Sequence, residues 1–245
     1  MRSQTVRKAV GAALLLLAAF GFFVFVYRLC VYHYEYDPQY SPVDYGKFNI
    51  LSYFTVQSNF ACYVYFLFAG LALLGVKKAE KIGFSKVFGG LVTLYVLVAG
   101  ITYTAGIPMG LTPPFKWDTA AHGFSSFIQI YYHMIIPPAA LLYWLFPATE
   151  KETPRRVLPL SAVYPLVYSV FSILRGRFGA MRYVPYPFYD PAFLWGLVNK
   201  SDPVNEPVAY LMMAGLLVFG IGLFVALMAI LRALGNRRVR RLEKS

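Results

Sequence analysis

Residues 9–31 read AVGAALLLLAAFGFFVFVYRLCV, an apolar run of more than 20 residues with a single cation, Arg28, near its end. A helix rising ~1.5 Å per residue needs roughly 20 such residues to cross the hydrocarbon core of a bilayer. The stretch is too long and too apolar for the core helix of a soluble domain, so it sets the fold class. Its basic start (Arg2, Arg7, Lys8) has the look of a secretory leader. The apolar core, however, outruns a leader's and no small-x-small cleavage site follows, so it reads as a retained helix.

Working outward, five further apolar runs of similar length follow, at 48–76, 87–107, 123–146, 157–174 and 208–234. The composition agrees: 58% of the 245 residues are hydrophobic and 14% charged, against about 25% charged in soluble domains. A disordered chain, a disulfide-rich secreted module and an ordinary cytosolic enzyme are excluded. The expected architecture is all-α: a single domain over 1–245, a bundle of six transmembrane helices, with a basic tail at 235–245.

The net charge of +12 would suggest nucleic acid in a soluble protein, but here the cations flank apolar runs. With the N-terminus in the cytoplasm, only Arg28, Lys47, Lys116, Arg175, Arg177, Arg182 and Lys200 of the 23 Lys and Arg fall on the outer side. That asymmetry obeys the positive-inside rule, places both termini in the cytoplasm and requires an even number of spans. The tail LGNRRVRRLEKS (234–245) reads as an anchor for anionic lipid, and no nucleic-acid partner is expected. The outer segments are instead rich in Tyr, Trp and Pro: YHYEYDPQYSPVDYG (32–46), PMGLTPPFKWD (108–118) and RYVPYPFYDPAFLWG (182–196). Most of these aromatics read as an interfacial belt. The last outer segment, 175–207, is long enough to form an ordered cap.

Polar side chains inside a span must find a protein partner or line a cavity. In YFTVQSNFACYVYF (53–66), Thr55, Ser58, Asn59 and Cys62 share one helix face, with Gln57 off it. In HGFSSFIQIYYHMIIPP (122–138), His122, Ser126, Gln129 and His133 fall on one face. The fifth span offers Ser161, Tyr164, Tyr168, Ser172 and Arg175 at similar steps. Three such stripes predict a shared polar cavity, although Ser and Thr also join membrane helices structurally. His133 lies about ten residues into its span, ~15 Å deep, where an ionisable group is a functional candidate by default. Pro137 and Pro138 follow it and predict a kink. Thr55, expected about seven residues into its own span, falls within a turn of the imidazole, and a hydroxyl beside a base is the minimum set for acyl chemistry.

Other chemistries find no residues. No G-x-S-x-G elbow, Walker A loop, H-E-x-x-H or C-x-x-C is present. His122 and His133 lie ~16 Å apart along one helix, too far to share a metal. No metal or other cofactor is expected. Cys30 and Cys62 sit at different depths, so no disulfide is expected either.

The set YFTVQSN (53–59), Trp117-Asp118 with His122 and YYHMIIPP (131–138), and YPFYD (186–190) resembles the Pr6Pr family of bacterial six-span membrane proteins over nearly the whole chain. That resemblance implies the fold and a bacterial cytoplasmic membrane. More distantly the pattern is similar to the androgen-induced (FAR-17a/AIG-like) family, multispan hydrolases of fatty acid esters of hydroxy fatty acids that use an intramembrane Thr and a His. This second resemblance implies Thr55 as nucleophile and His133, followed five residues on by Pro138, as its partner. Asn59 stands four residues after Thr55 where that family has three.

Three functions are therefore expected to compete. In a lipid-ester hydrolase, Thr55 attacks, His133 moves the proton, and Ser58, Asn59 or Gln129 steadies the oxyanion. Ser126 and Tyr168 would complete the polar pocket, and Arg175 or Arg182 would hold a fatty-acid carboxylate. The alternatives are a transporter, channel or lipid-binding scaffold, and an assembly partner whose outer aromatic loops bind another membrane protein. Membrane lipids are the expected partners in each.

Overall fold

A computed structural model of the chain describes residues 4–30, 47–110, 112, 114–145, 151–179, 183–199 and 203–242. Among these residues the structure is all-α, with no strand. The helices are α1 (Gln4–Cys30), α2 (Phe54–Leu73), α3 (Lys77–Gly83), α4 (Lys86–Gly106), α5 (Ala120–Ile130), α6 (Ile136–Trp144), α7 (Val157–Phe178), α8 (Pro191–Val198) and α9 (Glu206–Leu242). A π-helical turn, Tyr131–Ile135, joins α5 to α6, and 3-10 turns occupy Lys47–Ser52 and Pro187–Tyr189. Two compact units result, Met1–Val157 with Ile230–Ser245, and Leu158–Ala229.

Five helices, α1, α2, α4, α7 and α9, are long and apolar enough to cross a membrane. Their outward faces make the same point. On α7 the buried face carries Ser161, Ser169 and Ser172, while Val163, Leu166, Val167, Val170, Phe171 and Leu174 are exposed. Leu211, Val218 and Phe219 on α9 and Leu16 and Phe23 on α1 are likewise open. Leaving a Val, Leu or Phe side chain in water forgoes about 1.5–3 kcal/mol each. These eleven residues would erase the 5–15 kcal/mol by which a domain is typically stable, so these faces belong in lipid.

The sequence expectation differs from the structure at three places. The run 48–76 is not one helix. Ser52 Oγ donates to Asn49 Oδ1 at 3.1 Å and Gln57 Nε2 to the Leu51 carbonyl at 2.7 Å, which closes a 3-10 turn before α2. Thr55 is therefore in the first turn of α2, nearer the helix end than expected. The expected fourth span is helical but broken into α5, the π turn and α6, none of which alone reaches spanning length. The stretch between the second and third expected spans, given no helix from sequence, forms α3.

In the first unit α1 lies along α2. At one point the approach is glycine on glycine: a Cβ on Gly70 would sit 2.8 Å from the Gly11 carbonyl oxygen, and one on Gly11 3.0 Å from that of Gly70. Small residues are how membrane helices gain contact without a hydrophobic driving force between them. Around the crossing pack Leu14, Ala18 and Val24 of α1, Phe66, Ala69 and Leu73 of α2, and Val92 and Val96 of α4. Ile128, Tyr132, Ile136 and Ala140 close the core from the α5–α6 run. At one end of this unit the Asn236 side chain of α9 reads the backbone of Thr153 twice, Oδ1 accepting from its N–H at 2.8 Å and Nδ2 donating to its carbonyl at 3.3 Å. Arg232 Nε donates to the same carbonyl at 2.9 Å, and Arg240 pairs with Glu152 at 2.6 Å. The Arg240 hydrogen bond holds the Glu152 carboxyl below its usual range.

In the second unit, described by itself, the segment after α7 packs on that helix. Tyr189 shares a 2.9 Å hydrogen bond with Ser169, its hydroxyl pushed upward in pKa by burial. Asp190 caps α8 by accepting from the Ala192 N–H at 2.9 Å, with Pro191 at the first helical position.

Candidate functional site: the pi turn and its neighbours

The site begins with two prolines. An α-helix gives the carbonyl of residue i an N–H from residue i+4, and a π turn one from i+5. Pro137 and Pro138 carry no N–H. The Ile136 N–H bonds back five residues to the Tyr131 carbonyl. The Tyr132 carbonyl has then lost its i+4 donor to Tyr131 and its i+5 donor to Pro137. The His133 carbonyl faces prolines at both positions. The kink expected from Pro137-Pro138 takes this form, an extra residue in the turn.

Each bared carbonyl meets a neighbouring helix. Asn59 Nδ2, fully buried on α2, donates to the Tyr132 carbonyl at 3.4 Å and to the Thr55 carbonyl at 2.9 Å. The His133 carbonyl rests against Gly100 of α4, where a Cβ would lie 2.6 Å from it and 2.8 Å from Pro137 Cγ. Glycine is what lets α4 come this close.

The same approach fixes the His133 side chain. His133 is 6% exposed; its ring lies 3.8 Å from the Tyr103 ring at an interplanar angle of 7° and places Nδ1 3.2 Å from the Ala99 carbonyl. A carbonyl oxygen only accepts, so Nδ1 carries the proton and Nε2 is left as the acceptor. Nε2 has no hydrogen bond to a described residue. A neutral imidazole held in one tautomer is the usual preparation of a general base.

The other expected site residues fall into place less tightly. Thr55 is half-buried, and no hydrogen bond joins it to His133; its carbonyl accepts from both Ser58 Oγ, at 3.1 Å, and Asn59. Ser58 and Asn59 are thus both buried on the expected α2 face, but their donors are spent on carbonyls, and an oxyanion would have to compete for them. The π turn begins between Gln129 and His133, so the 3.6-residue phase on which the fourth-span stripe was drawn does not run through to His133. Ser126 turns to the loop before α5, bonding the Lys116 N–H and carbonyl at 2.8 Å each. His122 pairs with Asp118 at 2.7 Å and holds that carboxyl below its usual range. Gln129 is half-buried. Tyr168 is buried in the second unit among Tyr164, Tyr186 and Tyr189. Arg175 in that unit lies 4.6 Å over the Tyr183 ring. Arg182 lies outside the described residues.

Sequence reasoning missed Arg28, Tyr63 and Thr93. Arg28 is 5% exposed, with its guanidinium carbon 5.9 Å from the Tyr132 ring. The buried Asn59 Oδ1, Tyr63 hydroxyl and Thr93 hydroxyl have no hydrogen-bond partner among the described residues. A lone cation in an apolar span was the available signal for Arg28. For Tyr63 and Thr93 nothing in the sequence distinguishes them from neighbouring belt and core residues.

Comparison of the chain with protein-family models, with curated proteins and with solved structures gives no match.

Proposed function

We propose that this chain is a six-span protein of a bacterial cytoplasmic membrane, both termini cytoplasmic, that hydrolyses lipid esters with Thr55 as nucleophile and His133 as base. The sixth crossing is the run of α5, π turn and α6, whose broken helix packs in the first unit's core. The orientation rests on the asymmetry of Lys and Arg.

One observation carries the catalytic reading: His133 Nδ1 is committed to the Ala99 carbonyl, which leaves Nε2 as an acceptor with no donor among the described residues. In the reaction Thr55 Oγ1 attacks the ester carbonyl carbon and its proton passes to Nε2. The alcohol leaves with that proton, and acyl-Thr55 remains. Water then attacks the acyl group, gives its proton to Nε2, and the fatty acid departs as Thr55 regains its hydrogen. A hydroxyl and base not bonded in the resting protein are compatible with this, since such contacts tighten around substrate.

A second reading, a lipid-binding scaffold without turnover, is favoured by the commitment of the Asn59 and Ser58 donors to the Thr55 carbonyl. Labelling separates the two. Purified protein in detergent is treated with a fluorophosphonate probe and long-chain esters. The expected result is labelling and cleavage by the wild type, lost in folded Thr55→Ala and His133→Ala proteins. A folded wild type that neither labels nor cleaves would falsify the hydrolase reading and leave the scaffold.

A further inference from the structure

Three ring pairs of the first unit meet edge-on. Phe20 and Tyr131 cross at 77° with centroids 4.9 Å apart, Phe22 and Tyr63 at 74° and 5.8 Å, and Tyr65 and Phe88 at 85° and 5.8 Å. Two neutral rings prefer such contact, because the negative face of one meets the positive rim of the other. Tyr103 and His133 do the opposite. Their rings are parallel to within 7° and their centroids are 3.8 Å apart, face over face. While the imidazole is neutral, that geometry sets two negative faces against each other. For a cation over a phenol it is the favoured one, well inside the ~6 Å at which such attraction counts.

One helix supplies both contacts to the imidazole. Ala99 and Tyr103 stand four residues apart on α4 and so share a face. The Ala99 carbonyl takes the Nδ1–H while the Tyr103 side chain covers the ring. Gly100, between them, lets α4 approach the His133 backbone. The hydrogen bond by itself is a loose hold. It spans 3.2 Å, and Thr102 Oγ1 reaches the same carbonyl at 3.2 Å. Positive charge on this ring also carries a cost, because the site is buried and the Arg28 guanidinium acts on it as a like charge.

We infer that Tyr103 is a positioning residue for His133, its ring face holding the imidazole on the Ala99 carbonyl and sharing the positive charge that the imidazole gains when Nε2 takes a proton. The inference rests on the ester-hydrolase reading for the source of that proton. As Thr55 Oγ1 bonds to the ester carbonyl carbon, the carbonyl π pair moves to oxygen, the Oγ1–H bond breaks and the Nε2–H bond forms. The imidazolium exists only from that point. An attraction stronger for imidazolium than for imidazole therefore lowers the barrier and leaves substrate binding alone. Tyr103 acts through His133 and takes no proton itself.

Two readouts test this on full-length protein in detergent. The first is turnover of p-nitrophenyl palmitate. Tyr103→Leu should lower kcat about tenfold, with KM changed by less than about twofold. Tyr103→Phe keeps a ring and should keep most of the rate, and Tyr103→Trp should match or exceed the wild type, since indole offers the strongest face. A role in packing alone predicts a different order, with Trp worst because it overfills the place of the phenol. The second readout needs no turnover. In 15N-histidine-labelled protein, the His133 signals, assigned by their absence from His133→Asn, should show one Nδ1–H tautomer in the wild type and Tyr103→Phe and a mixture in Tyr103→Leu. A Tyr103→Leu protein with wild-type kcat, or a Tyr103→Trp protein slower than Tyr103→Leu, overturns the sharing of charge. A single tautomer retained in Tyr103→Leu overturns the positioning. A wild type that cleaves no ester, but whose tautomer depends on Tyr103, loses the hydrolase and keeps Tyr103 as the holder of His133. One that cleaves esters at a rate and with a tautomer indifferent to Tyr103 does the reverse.

Discussion

The buried polar groups of α7 and those around the π turn solve the same problem in different ways. On α7 each serine bonds its own helix one turn back: Ser161 to the Leu158 carbonyl at 2.6 Å, Ser169 to Pro165 at 2.7 Å and Ser172 to Tyr168 at 2.8 Å. Around the π turn the bonds run between helices, Asn59 to Tyr132 and His133 to Ala99, across 73 and 34 residues of sequence. A serine that bonds its own helix can be replaced by a small apolar residue at little cost. An amide that answers a carbonyl on another helix cannot, because that carbonyl has no other donor. The Asn59, Tyr63 and Thr93 atoms without a partner among the described residues also lie on α2 and α4, in the unit that holds the π turn. Local satisfaction marks structure; satisfaction across helices, with atoms left over, marks a site.

The contrast can be broken at its tightest contact. Gly100→Val would place a Cβ against the His133 carbonyl and Pro137. Both are rigid, so the expected loss is about 3 kcal/mol or more, read by denaturant unfolding in detergent. A Gly100→Val protein as stable as the wild type would remove the close approach from the argument.

Next in size is Asn59→Leu, which strands the Tyr132 carbonyl and should cost about 2 kcal/mol. Pro137→Ala sharpens this. It returns an N–H to the turn, so Asn59→Leu should cost less in that background, with a coupling of about 1 kcal/mol in the double-mutant cycle. Additive effects would show that the prolines are not what bares the carbonyl. At the other pole, Ser172→Ala should change stability by under about 0.5 kcal/mol. A loss matching that of Asn59→Leu would end the distinction between the two regions.

The smallest effect is expected at Glu152. Its pKa is depressed by Arg240 in the folded protein, so the pair's stabilisation is present above the ordinary Glu range and fades as pH falls through the lowered value. Glu152→Gln should therefore narrow the stability gap between neutral and acidic pH slightly, in low salt. An unchanged pH profile would mean the exposed pair contributes nothing.

Much of the fold is legible because hydropathy is a local property. The runs 9–31, 87–107 and 157–174 match α1, α4 and α7 to within a few residues of their ends. The site was legible in its residue types. His133 and Asn59 stood out as polar groups in apolar runs, and both are buried at the π turn. Their geometry was not legible, for a specific reason. Projection of Ser126, Gln129 and His133 onto one face assumes 3.6 residues per turn. The insertion forced by Pro137 and Pro138 breaks that phase between Gln129 and the end of the turn. Thr55 moved for a related reason, since the side chains of Asn49, Ser52 and Gln57 close a 3-10 turn where hydropathy alone continues the helix.

The sequence by itself determined that this chain is helical and made for lipid, because membrane solvation acts on every side chain separately and sums along the run. It also determined that prolines would disturb the helix after His133, because a missing N–H is a property of the residue. Which nitrogen of His133 carries the proton, which amide answers the bared carbonyl, and which hydroxyl is left over were decided only by the tertiary structure. Hydrogen bonds between helices depend on distances that the packing of α1, α2, α4 and the π turn sets jointly, and no single segment encodes them.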